Sequence, residues 1–241
     1  MKVTGPTGKL VCFSFSLFAF FLIGSIYANP KVKVSLYYES LCPYSARYIS
    51  EQLYPIYRWL GRRIELDYVP FGNAEMMYHP FNSSYTFNCQ HGPDECKGNK
   101  IQGCLKHLFN DTDHDATLTQ LQVVNCLMSG GAANLGQLAY CIKNIIPVNV
   151  GLTYQKIVDC ALGIEGDKIL AEMGNTTMAL KPQHEWVPWV TVDGEHQPGA
   201  EKNLGEFLCK GKLMNVSECQ RKSMKGESLI RENAVPFDNY Y

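Results

Sequence analysis

A strand-like run gives way to a helix-like run across Cys42-Pro43-Tyr44-Ser45, and this junction constrains the fold more than any other stretch of the chain. Before it, Val32, Val34 and Leu36 alternate with Lys31, Lys33 and Ser35, the period-two pattern of a half-buried strand. After it, Ile49, Leu53, Ile56 and Leu60 recur at helical spacing. Cys42 is thereby placed at a helix N-terminus, where unpaired N–H groups and the positive end of the helix dipole favour thiolate over thiol. Pro43 suits the first helical position, which needs no N–H donor, whereas Pro55 removes an internal hydrogen bond and predicts a kink. Ile64, Leu66 and Tyr68 then alternate through a second strand ending near Pro70-Phe71-Gly72. A right-handed crossover sets it parallel to the first, giving a β-α-β opening.

The N-terminus addresses the compartment. Lys2 and Lys9 precede an apolar run from Leu10 to Ile26, with the small Ala28 before Asn29-Pro30. Residues 1–28 read as a secretory signal peptide; the alternative is an uncleaved anchor, because the run nears the roughly 20 residues that span a bilayer. Cys12, Ser14 and Ser16 dilute that run, and no later segment is apolar enough to span, so no membrane span is expected after signal cleavage. Sequons at Asn82, Asn110, Asn175 and Asn215 are expected glycosylation sites on the surface. A formal charge of -1 gives no global electrostatic reason to bind nucleic acid.

Cysteine parity follows from the same compartment. Ten cysteines less Cys12, which leaves with the signal, give nine: Cys42, Cys89, Cys96, Cys104, Cys126, Cys141, Cys160, Cys209 and Cys219. In an oxidising compartment an odd set flags one free or intermolecular thiol. Cys42 is the odd one out, since Ser45 occupies the place of a Cys-x-x-Cys partner. The other eight can form four structural bridges, whose connectivity is open among about 105 pairings.

From Gly72 the chain turns polar, aromatic and Asn-rich to Asn88, followed by three closely spaced cysteines. This stretch reads as loop-rich and held by disulfides. Two or three helices are expected next. Leu135, Leu138, Ile142 and Ile145 form one apolar face, Tyr154, Ile157, Val158, Ala161 and Leu162 another, and a further turn around Ile169, Leu170 and Met173 stops at Gly174. Strand character returns at Val187-Pro188-Trp189-Val190-Thr191-Val192, leading into the hairpin dipeptide Asp193-Gly194. A short helix carries Leu204, Phe207 and Leu208, and residues 221–241 read as a polar C-terminal tail.

Cys89-Gln90-His91-Gly92-Pro93-Asp94-Glu95-Cys96-Lys97-Gly98-Asn99, followed by Cys104, fits Cys-Gln-His-Gly-x2-Glu-Cys-x2-Asn-x4-Cys. That pattern resembles the signature of the gamma-interferon-inducible lysosomal thiol reductase family. The resemblance extends from about Val32 to Cys219. It implies an α/β, thioredoxin-like fold over residues 29–220 with a helical, disulfide-rich insertion at about 72–180. It also implies reduction of disulfide-containing protein substrates in the secretory pathway, with a lysosomal or secreted destination. By the resemblance Cys42 matches the attacking thiol, and Ser45 stands where the resolving cysteine would be, its hydroxyl free to hydrogen-bond the sulfur. Val187 and Pro188 match a substrate-binding segment, with Pro188 cis and the Val187 backbone meeting substrate. Trp186 and Trp189 are open to either substrate contact or core packing. Three outcomes follow from Ser45: a monothiol reductase released by a small thiol such as glutathione or free cysteine, an isomerase or trap that holds mixed disulfides, or a redox-inactive binding module. A zinc site of Cys89, Cys96 and Cys104 with His91 is disfavoured, because a secreted chain oxidises closely spaced thiols. No metal or cofactor is expected, and His91 reads as a structural or hydrogen-bonding residue.

Overall fold

The computed structural model describes residues 1–2, 31–109 and 113–225. The signal segment beyond its first two residues, Cys12, the Asn110 sequon and residues 226–241 lie outside the described residues. A four-stranded sheet in the order β2-β1-β5-β6 organises the chain. Strand β1 (Val32–Tyr38) pairs in parallel with β2 (Ile64–Pro70), Val34 opposite Leu66, and antiparallel with β5 (Trp189–Val192), Leu36 opposite Val190. The short β6 (Glu195–His196) closes a hairpin on β5 through Asp193-Gly194.

The alternation in β1 predicts a half-buried strand, yet from Val34 to Tyr38 every residue is buried. Val32, Val34, Leu36 and Tyr38 enter the main core, while Tyr37 joins Val69 and Trp189 in a separate cluster on the opposite face. A central strand covered on both faces needs no polar side. The crossover from β1 to β2 is one helical column, α1 (Pro43–Tyr48), a π-helical turn (Ile49–Leu53) and α2 (Tyr54–Leu60). Pro55 has no N–H to donate, and the column takes this up one turn earlier, where Tyr54 N–H bonds to Ile49 O. The predicted face, Ile49, Leu53, Ile56 and Leu60, is buried against the sheet.

Between β2 and β5 the chain departs from its sequence reading. Residues 75–88 are a hairpin of β3 (Glu75–His79) and β4 (Ser84–Asn88). Of the signature cysteines Cys89 lies in the turn after β4, whereas Cys96 and Cys104 lie on α3 (Pro93–Phe109), which is followed by α4 (His114–Gly130), α5 (Leu135–Ile145), α6 (Tyr154–Leu162) and α7 (Ile164–Met178). Among the described residues the expected helices are present as α5, α6 and α7, and α3 and α4 are added ahead of them. Gly174 does not end α7; the helix passes through it, and the glycine serves close packing instead, since a Cβ there would lie 2.7 Å from the Phe71 ring and 2.9 Å from Met76 Sδ. After β6 come α8 (Pro198–Lys202), α9 (Leu204–Lys210) and α10 (Ser217–Lys225), so helix extends into the segment read as a tail.

The eight core-domain cysteines other than Cys42 pair as Cys89–Cys96, Cys104–Cys160, Cys126–Cys141 and Cys209–Cys219. The thiol of Cys42 is free.

Candidate active site

Cys42 is the residue immediately before α1, with extended backbone, and its carbonyl accepts from Ala46 N–H at 3.0 Å. Only 5 % of it is exposed, and it lines a cleft. That cleft has a volume of about 630 Å3, and its walls include Glu39, Cys42, His91, Trp186, Val187 and Pro188. Across it, the Val187–Pro188 peptide is cis, and the Val187 carbonyl oxygen lies 4.0 Å from Cys42 Sγ. The antiparallel pairing of β5 with β1 brings Val187 opposite Cys42 at the start of α1, although 145 positions separate the two residues. The two tryptophans divide. Trp189 is a core residue at 2 % exposure, whereas Trp186 lines the cleft, its ring edge-on to Trp189 at 5.0 Å.

Ser45 is fully buried, and its Oγ accepts a long hydrogen bond from the Glu39 N–H at 3.5 Å. In this state the hydroxyl braces the end of β1 against the first turn of α1.

Sequence reasoning missed Glu39, and placed no group of the signature beside Cys42. Glu39 and Glu95 are both fully buried, and they flank the His91 ring: Nδ1 lies 2.6 Å from Glu95 Oε2 and 3.3 Å from Glu39 Oε2. The second oxygen of each carboxylate is held by backbone, Glu95 Oε1 by His91 N–H at 3.0 Å and Glu39 Oε1 by Asn73 N–H at 2.7 Å. Burial pushes the Glu39 carboxyl up to about 7, with Glu95 adding to the rise and the Asn73 N–H and His91 opposing it. His91 is thus a wall of the cysteine cleft as well as a hydrogen-bonding residue. The signal in the sequence was an acidic residue ending the apolar run Leu36-Tyr37-Tyr38 just before Cys42. Cys89, Cys96 and Cys104, weighed with His91 as zinc ligands, are consumed in disulfides.

Gly72 gives Glu39 its place. Its φ is +59°, and a Cβ would lie 2.3 Å from Glu39 Cγ. Gly72→Ala is therefore expected to cost about 1–3 kcal/mol from left-handed strain and displacement of the Glu39 side chain. Urea unfolding of the variant checks this, and an unchanged midpoint refutes it.

Asn82, Asn175 and Asn215 are exposed, at the β3–β4 turn, on α7 and ahead of α10 respectively. No helix among the described residues is long and apolar enough to cross a membrane.

Comparison with known proteins identifies the lineage. The family model described as gamma interferon inducible lysosomal thiol reductase (GILT) matches residues 33–145. The gamma-interferon-inducible lysosomal thiol reductase of Carassius auratus is 38% identical over 186 residues, covering 76% of this chain and 68% of the relative. The Anopheles gambiae gamma-interferon-inducible lysosomal thiol reductase-like protein is 36% identical over 216 residues, covering 84% and 88%. Among solved structures, DsbA of Chlamydia trachomatis superposes with a TM-score of 0.53 at 12% identity over 94% of this chain and 100% of that one. DsbA of Mycobacterium tuberculosis gives 0.52 at 15%, over 84% and 93%. At such identity these structures speak to the fold alone, which is thioredoxin-like. With relatives this similar over most of their length, the chain belongs to the gamma interferon inducible lysosomal thiol reductase family.

Proposed function

We propose that Cys42 carries the chemistry of this thiol–disulfide oxidoreductase as a monothiol. The observation that supports the reading most is a free sulfur at the start of α1, facing the Val187 carbonyl across a cis Val187–Pro188 peptide, in a chain of a thiol reductase family. The Cys42 thiolate attacks one sulfur of a substrate disulfide. A Cys42–substrate mixed disulfide forms, and the other substrate sulfur departs and takes a proton. Ser45 has no sulfur with which to break the mixed disulfide, so a small external thiol attacks it. That attack falls on the Cys42 sulfur, releases the second substrate thiol and leaves Cys42 joined to the small thiol; a second equivalent attacks this disulfide and regenerates Cys42, and the net change is one substrate disulfide reduced and one small-thiol disulfide formed. The Val187 backbone and Pro188 form the substrate-binding edge, where an extended peptide pairs with main chain and needs no particular sequence. The substrates are proteins with accessible disulfides, met in the secretory pathway or the lysosome; the four bridges fit an oxidising route, and Asn82, Asn110, Asn175 and Asn215 are the glycan acceptors.

The test is turnover of a disulfide-bonded protein as glutathione or free cysteine is varied, together with mass spectrometry of the protein quenched by an alkylating agent. Turnover proportional to the small thiol, with a substrate adduct on Cys42, is expected. A Cys42 that neither alkylates nor forms an adduct in the folded chain would favour a redox-inactive binding module.

A further inference from the structure

The carboxylates of Glu39 and Glu95 and the imidazole of His91 make an arrangement that disulfide exchange at Cys42 does not use. One ligand atom from each lies within 4.8 Å of the others. They come from three places in the fold: the end of β1, the turn ahead of α3, and the first turn of α3. Both carboxylates are fully buried, and each is fixed through one oxygen by a backbone N–H, which leaves its Oε2 pointing at His91 Nδ1. Glu39 Oε2 is sealed from solvent and, among the described residues, takes part in no hydrogen bond, its contact with His91 Nδ1 being one of charge at 3.3 Å. A buried carboxylate oxygen that accepts no hydrogen bond is costly, and a cation satisfies it directly.

We propose that Glu39, His91 and Glu95 form a binding site for one divalent transition-metal ion of the zinc type in the wall of the Cys42 cleft. The donor set selects the class of ion. Calcium and magnesium take oxygen ligands in sets of six or more, whereas one imidazole with two carboxylates suits zinc and its neighbours. Two carboxylates cancel the charge of the ion. Metal–ligand bonds of about 2.0–2.2 Å put adjacent tetrahedral ligands a little over 3 Å apart. The 3.3 Å from His91 Nδ1 to Glu39 Oε2 already meets that spacing. The 2.6 Å contact to Glu95 holds a hydrogen bond whose proton the ion displaces, and the pair then opens toward the spacing already present at Glu39. Three protein ligands leave the ion one open position, and two of them, Glu39 and His91, line the same cleft as Cys42.

The thiol of Cys42 binds zinc on its own account, so the experiment uses the full chain carrying Cys42→Ser, in which reductase activity plays no part. Zn2+ is titrated against a chromogenic chelator. One equivalent bound at micromolar or tighter Kd is expected, with at least tenfold weakening by His91→Asn and by Glu39→Gln and no change for the exposed His107→Asn. Co2+ added to the same chain without ligand variants is expected to give the visible bands of a four- or five-coordinate site lacking sulfur charge transfer, a readout that holds should a ligand variant fail to fold. Absence of saturable binding, affinity indifferent to His91→Asn in a folded variant, or six-coordinate Co2+ spectra like those of the free ion would overturn the proposal.

Discussion

Pre-reduced Ser45→Cys protein is expected to release fully reduced substrate in a single turnover without added thiol, whereas the unsubstituted chain halts as a Cys42–substrate mixed disulfide. Positions 42 and 45 are three apart at the first turn of a helix and so share a face. The Ser45 hydroxyl is fully buried and sits 3.5 Å from the Glu39 nitrogen, a separation long for oxygen and suited to sulfur, so the larger atom is accommodated without forcing β1 away from α1. Resolution then becomes intramolecular, replacing a collision with millimolar external thiol by a neighbour of far higher effective concentration. We expect release of the mixed disulfide to accelerate on the order of 10–100-fold or more. Steady-state turnover gains less, because the internal disulfide formed between Cys42 and the introduced thiol must itself be reduced from outside. Cys42→Ser abolishes adduct and release in both backgrounds. Quenched-flow alkylation with mass analysis reads each species; a Ser45→Cys chain that stalls like its parent would show that the two sulfurs do not meet.

The same junction illustrates how far residue patterns reach. The Cys42 helix, the parallel return to β2 and the Asp193-Gly194 hairpin were legible because each rests on local rules: alternation, helical spacing and turn chemistry. The helix that carries the signature was not, and its packing explains why. On α3 the buried residues include Glu95, Asn99 and Gln102 alongside Ile101 and Leu105, so no clean apolar stripe exists to be read. Those polar groups hold the active-site loop. Asn99 Oδ1 accepts from Ser40 N–H at 2.9 Å, Ser40 Oγ donates to the Glu95 carbonyl at 3.1 Å, and Tyr38 OH donates to Gln102. A helix docked by hydrogen bonds to the end of β1 looks like loop to any test for hydrophobic periodicity. For the same reason His91 could not be placed beside Cys42: their proximity depends on those tertiary bonds, made across more than fifty residues of chain.

Removing the Cys104–Cys160 bridge by the double substitution to alanine is expected to cost about 4 kcal/mol, a large part of the roughly 5–15 kcal/mol that holds a domain folded. The bridge ties α3 to α6 across a sequence separation of 56, far beyond the 7 of Cys89–Cys96, the 15 of Cys126–Cys141 or the 10 of Cys209–Cys219. In the loop-closure account, the entropy withheld from the unfolded chain grows with the logarithm of that separation, which gives about 2.5 kcal/mol for the Cys89–Cys96 loop. Packing acts in the same direction. Cys104 is fully buried and Cys160 nearly so in the main core, among them Leu105 and Ile157, so alanine there also leaves unfilled space. Cys89 and Cys96 sit instead in the small cluster with Phe71, Ala74 and Leu170. Equilibrium unfolding in urea without reductant orders the two double variants: the Cys104/Cys160 chain is expected to unfold at clearly lower denaturant than the Cys89/Cys96 chain. The reverse order would mean that native-state strain or residual structure in the unfolded chain, rather than loop length, governs how these bridges stabilise the fold.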